Sequence, residues 1–271
     1  TLLSELVTAT VITQVESDTV TDEMDIGRAA TATPEQAMTR TVSFSKDFVL
    51  SGIGTVDIST TTERKSVTYF YGIQGEEVAD YTRTYQTSST TLRSVSVNFY
   101  DNGSGVKSRA DVSGVTADSK MLATINFDKT ITQTEIDDAE FITTDKRRSI
   151  TYFTGDQGEE VADYTENYKM DTTLIRSVSI NFYENEAGEE SRANNLTVTP
   201  DSKMLATVSF DKTITQGEIT SALFATTTKR RSVTYFEGEQ GEEVADYTAT
   251  YRMGTATLRS VSVNFYEGDI R

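Results

Sequence analysis

The sequence predicts an all-β protein: an elongated, solenoid-like antiparallel array of β-hairpins with an 83-residue period. Three observations carry that reading. Residues 66–82, SVTYFYGIQGEEVADYT, return in near copy at 149–165 and 232–248, offsets of 83 residues each time. The chain is rich in Thr, Ser, Val and Tyr and poor in Leu and Ala, a bias suited to strands. Within each candidate strand, apolar and polar residues alternate with period 2.

That alternation defines the strands one by one. In the first, Val67, Tyr69 and Tyr71 share a side, opposed to Ser66, Thr68 and Phe70. In the second, Ala79, Tyr81 and Tyr85 oppose Asp80, Thr82 and Thr84. In the third, Val95, Val97 and Phe99 oppose Ser94, Ser96 and Asn98. One face is apolar and aromatic and the other hydroxyl and amide, the pattern of antiparallel strands with one buried and one solvated side. Gly72-Ile73-Gln74-Gly75 supplies a tight turn between the first two strands. Helix is expected only as a short turn over 134–141 and its copy 217–224, where acidic residues gather at the front.

The period divides the chain into a divergent N-terminal segment or cap (1–37), a partial repeat (38–65), two full repeats (66–148 and 149–231) and a partial third (232–271). Arg109-Ala110 returns as Arg192-Ala193, and SKMLATINFDKTIT at 119–132 returns as SKMLATVSFDKTIT at 202–215. Arg28-Ala29 resembles the arginine–alanine pairs but sits two residues closer to its methionine, Met38. A finer grain lies inside the long one. Similar strands begin at Ser66, Ser94, Leu122 and Ser149, spacings of 28, 28 and 27 residues, which read as three hairpin-like units per repeat. The alternative architecture is a string of tandem β-sandwich domains. The fine grain and the lack of Pro/Gly-rich linkers favour the continuous array.

Composition excludes much chemistry. There is no Cys, His or Trp, and only two prolines, Pro34 and Pro200. Disulfides, thiol chemistry and imidazole bases are therefore absent. No stretch approaches the roughly 18 apolar residues of a membrane helix, and no signal peptide is seen, so a mature product or an excised segment is expected. The net charge of −17 repels nucleic acid, keeps a long assembly soluble and attracts divalent cations. An acidic, Cys-free, Thr/Ser-rich chain suits an extracellular or cell-surface location.

The recurrent Gly-Glu-Glu-Val-Ala-Asp-Tyr motif offers hard oxygen ligands for calcium. The candidates are Glu76, Glu77 and Asp80, then Glu159, Glu160 and Asp163, then Glu242, Glu243 and Asp246. The competing reading is a turn and return strand with acids on the solvated face. It is preferred because strand geometry keeps the three carboxylates from converging. A paired-acid glycosidase is disfavoured by the threefold recurrence, so no catalytic residue and no cofactor beyond that calcium is expected. Arg64-Lys65, Arg147-Arg148 and Arg230-Arg231 are expected to face the acidic arm of the neighbouring strand, around Asp163 and Glu166. The recurring tyrosines 69, 81, 85 and 100 are read as core, with a sugar-binding ladder as the rival. Asn102-Gly-Ser104 and Asn195-Leu-Thr197 match the glycosylation pattern out of register with one another.

YFTGDQGEEVADYTENY at 152–168 and YFEGEQGEEVADYTATY at 235–251 resemble the hairpin repeats of giant bacterial surface proteins. Those are loosely similar to the YD-repeat class of RHS and teneurin proteins. The resemblance covers roughly residues 38–266, although the Tyr-Asp order is reversed as Asp80-Tyr81, Asp163-Tyr164 and Asp246-Tyr247. It implies a hairpin sheet wound into a shell or tube and transfers no catalytic residues. The expected function is a non-enzymatic surface filament, stalk or sheath. The two ends fall out of phase with the repeat, which suggests head-to-tail assembly with copies of itself or a cut from a longer chain. The alternatives are an adhesin binding surface glycans and a toxin-encapsulating shell segment.

Overall fold

The computed structural model describes residues 32–44, 63–141 and 146–267. The divergent segment, apart from 32–37, lies outside them, as does Arg28-Ala29. Strand β1 (Arg40–Phe44) is followed by the hairpin of β2 (Arg64–Tyr71) and β3 (Val78–Tyr85). Next come β4 (Leu92–Asp101), the two-residue β5 (Lys107–Ser108), β6 (Met121–Asp128) and the short helix α1 (Gln133–Asp137). The set then recurs as β7 (Arg147–Thr154), β8 (Val161–Tyr168), β9 (Ile175–Glu184), β10 (Glu190–Ser191), β11 (Met204–Asp211) and α2 (Gln216–Thr220). The strands β12 (Arg230–Glu237), β13 (Val244–Tyr251) and β14 (Leu258–Val263) begin a third set.

These strands make one open antiparallel sheet of 14, running in chain order from β1 to β14. Only β5 and β10 stand off the path, folded back on β4 and β9. The described residues therefore form the continuous array, and the tandem sandwiches are not found among them. Registers recur from set to set: Ser66 faces Thr84, Ser149 faces Asn167 and Ser232 faces Thr250. A bulge recurs as well, after Tyr69, Tyr152 and Tyr235.

The three units per repeat are less alike than their spacing suggests. Of the units beginning at Ser66, Ser94 and Leu122, the first is followed by a full-length return strand, β3, the second by the two-residue β5 and the third by α1. The helix forms because Thr132 and Glu135 make a capping box, repeated by Thr215 and Glu218 in α2. Lys229 donates to Glu218, and with Thr215 it lowers that carboxyl to about 2.

The apolar face holds the core. Val95, Val97 and Phe99 of β4 pack with Ile125 and Phe127 of β6, flanked by Tyr81 of β3 and Ile150 of β7. Ile131, Ile136 and Ala139, in and around α1, lie over them. The second cluster repeats this with Val178, Ile180, Phe182, Val208, Phe210 and Val233 beneath Ile214, Ile219 and Ala222. Each core takes a residue from the repeat that follows, Ile150 in the first and Val233 in the second. The boundaries read at 148/149 and 231/232 thus run through packed cores. The opposite face is a hydroxyl and amide ladder. The Thr68–Thr82 and Thr151–Thr165 hydroxyls meet at 2.9 Å, and Ser96 and Ser149 both bond Asn126.

Ile150→Ala is expected to cost about 2–5 kcal/mol in urea unfolding. Its faster amide exchange should fall on β4 and β6 of the preceding repeat, and exchange confined to β7–β9 would show the cores to be separate.

Candidate functional site

The three acids of the repeated motif go to three different places. Glu76, Glu159 and Glu242 lie exposed in the turn. The next glutamate is a staple. Oε1 of Glu77, Glu160 and Glu243 accepts the backbone N–H of Met38, Met121 and Met204, each at 2.9 Å. Oε2 accepts from the N–H of Gly75, Gly158 and Gly241. The turn after β2, β7 or β12 is thereby tied to the start of the strand before it. The Met38 N–H holds the Glu77 carboxyl below its ordinary value. The turn itself requires Gly72, whose φ is +132° and whose added Cβ would overlap the Glu76 carbonyl oxygen.

Asp80 departs from the alternation. In the β2–β3 ladder Tyr69 faces Tyr81 while Phe70 faces Ala79, so Asp80 is the extra residue of a bulge. It was expected on the solvated side with Thr82 and Thr84, yet it is buried, as is Asp163. Arg109 donates to it twice, Nε to Oδ1 at 2.7 Å and Nη2 to Oδ2 at 2.5 Å. The remaining nitrogen, Nη1, donates to the Ile136 carbonyl of α1 at 2.5 Å. Arg192 does the same with Asp163 and the Ile219 carbonyl of α2. One guanidinium therefore joins a strand bulge, the loop after β5 and the helix over the core. Burial by itself would lower the pKa of Arg109; the hydrogen bond and charge of Asp80 outweigh it, and the net direction is upward. Asp246, the third copy, is only partly buried and faces no arginine among the described residues.

With the aspartate held by arginine and the glutamate by backbone, the motif presents no convergent ligand set. Among the described residues no group of three or more acids is placed to hold a metal ion. The basic pairs are also corrected. Arg64, Arg147 and Arg230 do not face the acidic arm; their guanidiniums lie over the rings of Tyr85, Tyr168 and Tyr251 at 4.0, 4.0 and 3.9 Å. Arg148 pairs instead with Asp128. Glu166 accepts from the hydroxyls of Tyr152 at 3.0 Å and Tyr168 at 2.5 Å.

The tyrosines are woven into the sheet. Tyr69 stacks on Tyr81 and Tyr152 on Tyr164, with ring centroids 4.3 Å apart in both pairs. Phe141 packs edge-on between Phe99 and Tyr152. On the other face the Tyr100 and Tyr183 hydroxyls donate to the Ala79 and Ala162 carbonyls at 2.6 and 2.7 Å. Burial pushes both phenols up to about 12. The two glycosylation patterns fall in turns: the Asn102 side chain accepts from the Ser104 N–H, and that of Asn195 from the Thr197 N–H and hydroxyl.

Sequence reasoning missed Arg109 and Arg192 as interacting groups. The signal was present, since each arginine follows its aspartate by 29 residues. No protein family, curated protein or solved structure matches the chain.

Arg109→Ala is expected to cost about 3–5 kcal/mol, because Asp80 is left buried and unpaired. In urea melts the Asp80→Ala/Arg109→Ala double variant should lose less than the sum of the single losses; simple additivity would mean the two side chains act independently.

Proposed function

We propose that the chain is a structural, non-enzymatic segment of an extracellular β-repeat array, serving in a surface filament, stalk or sheath. The observation that carries this reading is the sharing of cores across repeat boundaries. Among the described residues neighbouring strands pair directly from β1 to β14, so tension along the sheet would pass through hydrogen-bonded strand pairs. The best-kept residues support the same view: Glu77, Glu160 and Glu243 hold the turns, and the pairs Asp80–Arg109 and Asp163–Arg192 hold bulges and helices in place. A carbohydrate-binding role would need a row of tyrosine faces open to solvent. Instead, Tyr81, Tyr85, Tyr100 and Tyr183 are buried, and Tyr69, Tyr152 and Tyr164 are half-buried.

Immunogold labelling of intact source cells with antibody against residues 32–267 tests the proposal. Gold is expected outside the cell, along extended structures. Label found only after permeabilisation would overturn it.

A further inference from the structure

The turn from β4 to β5 gathers a carboxylate, a backbone nitrogen and a side-chain amide within hydrogen-bond reach of one another. It runs Asp101-Asn102-Gly103-Ser104-Gly105-Val106, and Asn102 is the one asparagine of the chain that a glycine follows. Oδ1 of Asp101 accepts the N–H of Gly103 at 2.9 Å and that of Gly105 at 2.8 Å. Oδ1 of Asn102 accepts the N–H of Ser104 at 3.1 Å. Gly103 lies exposed with φ +84°, in open space on the side where a Cβ would stand.

Each group holds the place that an intramolecular acyl transfer needs. The carboxylate sits on the proton of a nitrogen nucleophile, as a general base does. A backbone N–H already bonds the amide oxygen on which negative charge would develop. Covalent structure supplies the proximity, since the Gly103 nitrogen and Asn102 Cγ close a five-membered ring. We propose that Asn102 modifies itself to aspartate and isoaspartate, with water as the only co-reactant. The Gly103 nitrogen bonds to Asn102 Cγ while its proton passes to Asp101. The tetrahedral carbon then collapses, the Cγ–Nδ2 bond breaks, and the proton held by Asp101 leaves with the amide nitrogen as ammonia. Water opens the resulting succinimide. Addition at Cγ breaks the Cγ–N bond and gives aspartate. Addition at the Asn102 backbone carbonyl carbon breaks its bond to the Gly103 nitrogen and gives isoaspartate. The sum is hydrolysis of one amide, with the Asp101 carboxylate regenerated.

The second repeat carries the same turn with different chemistry. Asn185 stands where Asn102 does, and its Oδ1 likewise accepts from the residue two further on, the N–H of Ala187 at 2.9 Å. The Asn185 N–H closes on the Glu189 carbonyl as that of Asn102 closes on the Val106 carbonyl. The following residue is Glu186, whose side chain hinders the nitrogen, and Glu184 replaces Asp101. The change is thereby confined to the first repeat. Isoaspartate adds an atom to the main chain of a turn that leads through β5 to Arg109, the side chain that ties the Asp80 bulge to α1. Modification of Asn102 therefore alters the approach to that contact in one repeat and leaves Arg192 in the other untouched.

Incubation of the full chain in neutral buffer, followed by peptide mass spectrometry, tests the proposal by reading the replacement of each amide by an acid. Asn102 is expected to convert about tenfold faster than Asn185, or more, giving both aspartate and isoaspartate and releasing ammonia. Asp101→Asn keeps an oxygen acceptor for the Gly103 and Gly105 N–H groups while removing the base. Conversion at Asn102 in that variant should slow by roughly tenfold or more. Circular dichroism confirms that the variant is folded, and the comparison of Asn102 with Asn185 needs no variant. Equal rates at the two asparagines would overturn the proposal. So would a folded Asp101→Asn chain that converts Asn102 at the wild-type rate.

Discussion

A single-layer sheet must cover its own apolar face, and in this chain the cover is helical. Phe127 and Phe210 are wholly excluded from solvent, beneath segments containing helices of five residues. Helices that short have no stability of their own in water. They persist because Ile136 and Ile219 are buried against the strands, with Ile131 and Ile214 packed just ahead of them. Cover and sheet are therefore each conditional on the other. The rest of the architecture follows from that dependence. A strand pair lacking its helix, or a helix lacking the next strand, would leave apolar surface exposed.

The buried arginines give the helices their position. Arg109 reaches α1 through the Ile136 carbonyl and the sheet through Asp80, so it sets where the helix ends relative to the bulge. A buried ion pair contributes little net stability once desolvation is counted, while removing one partner is costly. Its value here lies in placement. Glu77 and its copies work in the other direction, along the sheet, by bonding the turn of each hairpin to the start of the preceding strand. Between them, the arginine and glutamate contacts account for most of the Gly-Glu-Glu-Val-Ala-Asp-Tyr motif without a ligand.

Much of this fold was legible because period-2 alternation is a direct image of a half-buried strand. Val95, Val97 and Phe99 announce their face without any knowledge of their neighbours. The short helix was legible in position from its clustered acids, but its capping box at Thr132 and Glu135 was overlooked. What escaped depends on contacts remote in sequence. The bulge that turns Asp80 inward arises from the mismatch of two strands, and neither strand records it alone. Charge alone points Arg147 at carboxylates, yet its guanidinium lies over the ring of Tyr168, where burial favours a weakly hydrated cation against a ring. The equal spacing of Ser66, Ser94 and Leu122 concealed three different return elements, because spacing fixes where strands recur and says little about what lies between them.

The central claim is that the repeats are one cooperative body. Scanning calorimetry of residues 32–267 tests it most directly, through the ratio of calorimetric to van't Hoff enthalpy. Shared cores predict a single transition with a ratio close to one. A ratio near two or three, or resolved separate transitions, would mean that the repeats melt independently and would contradict the account.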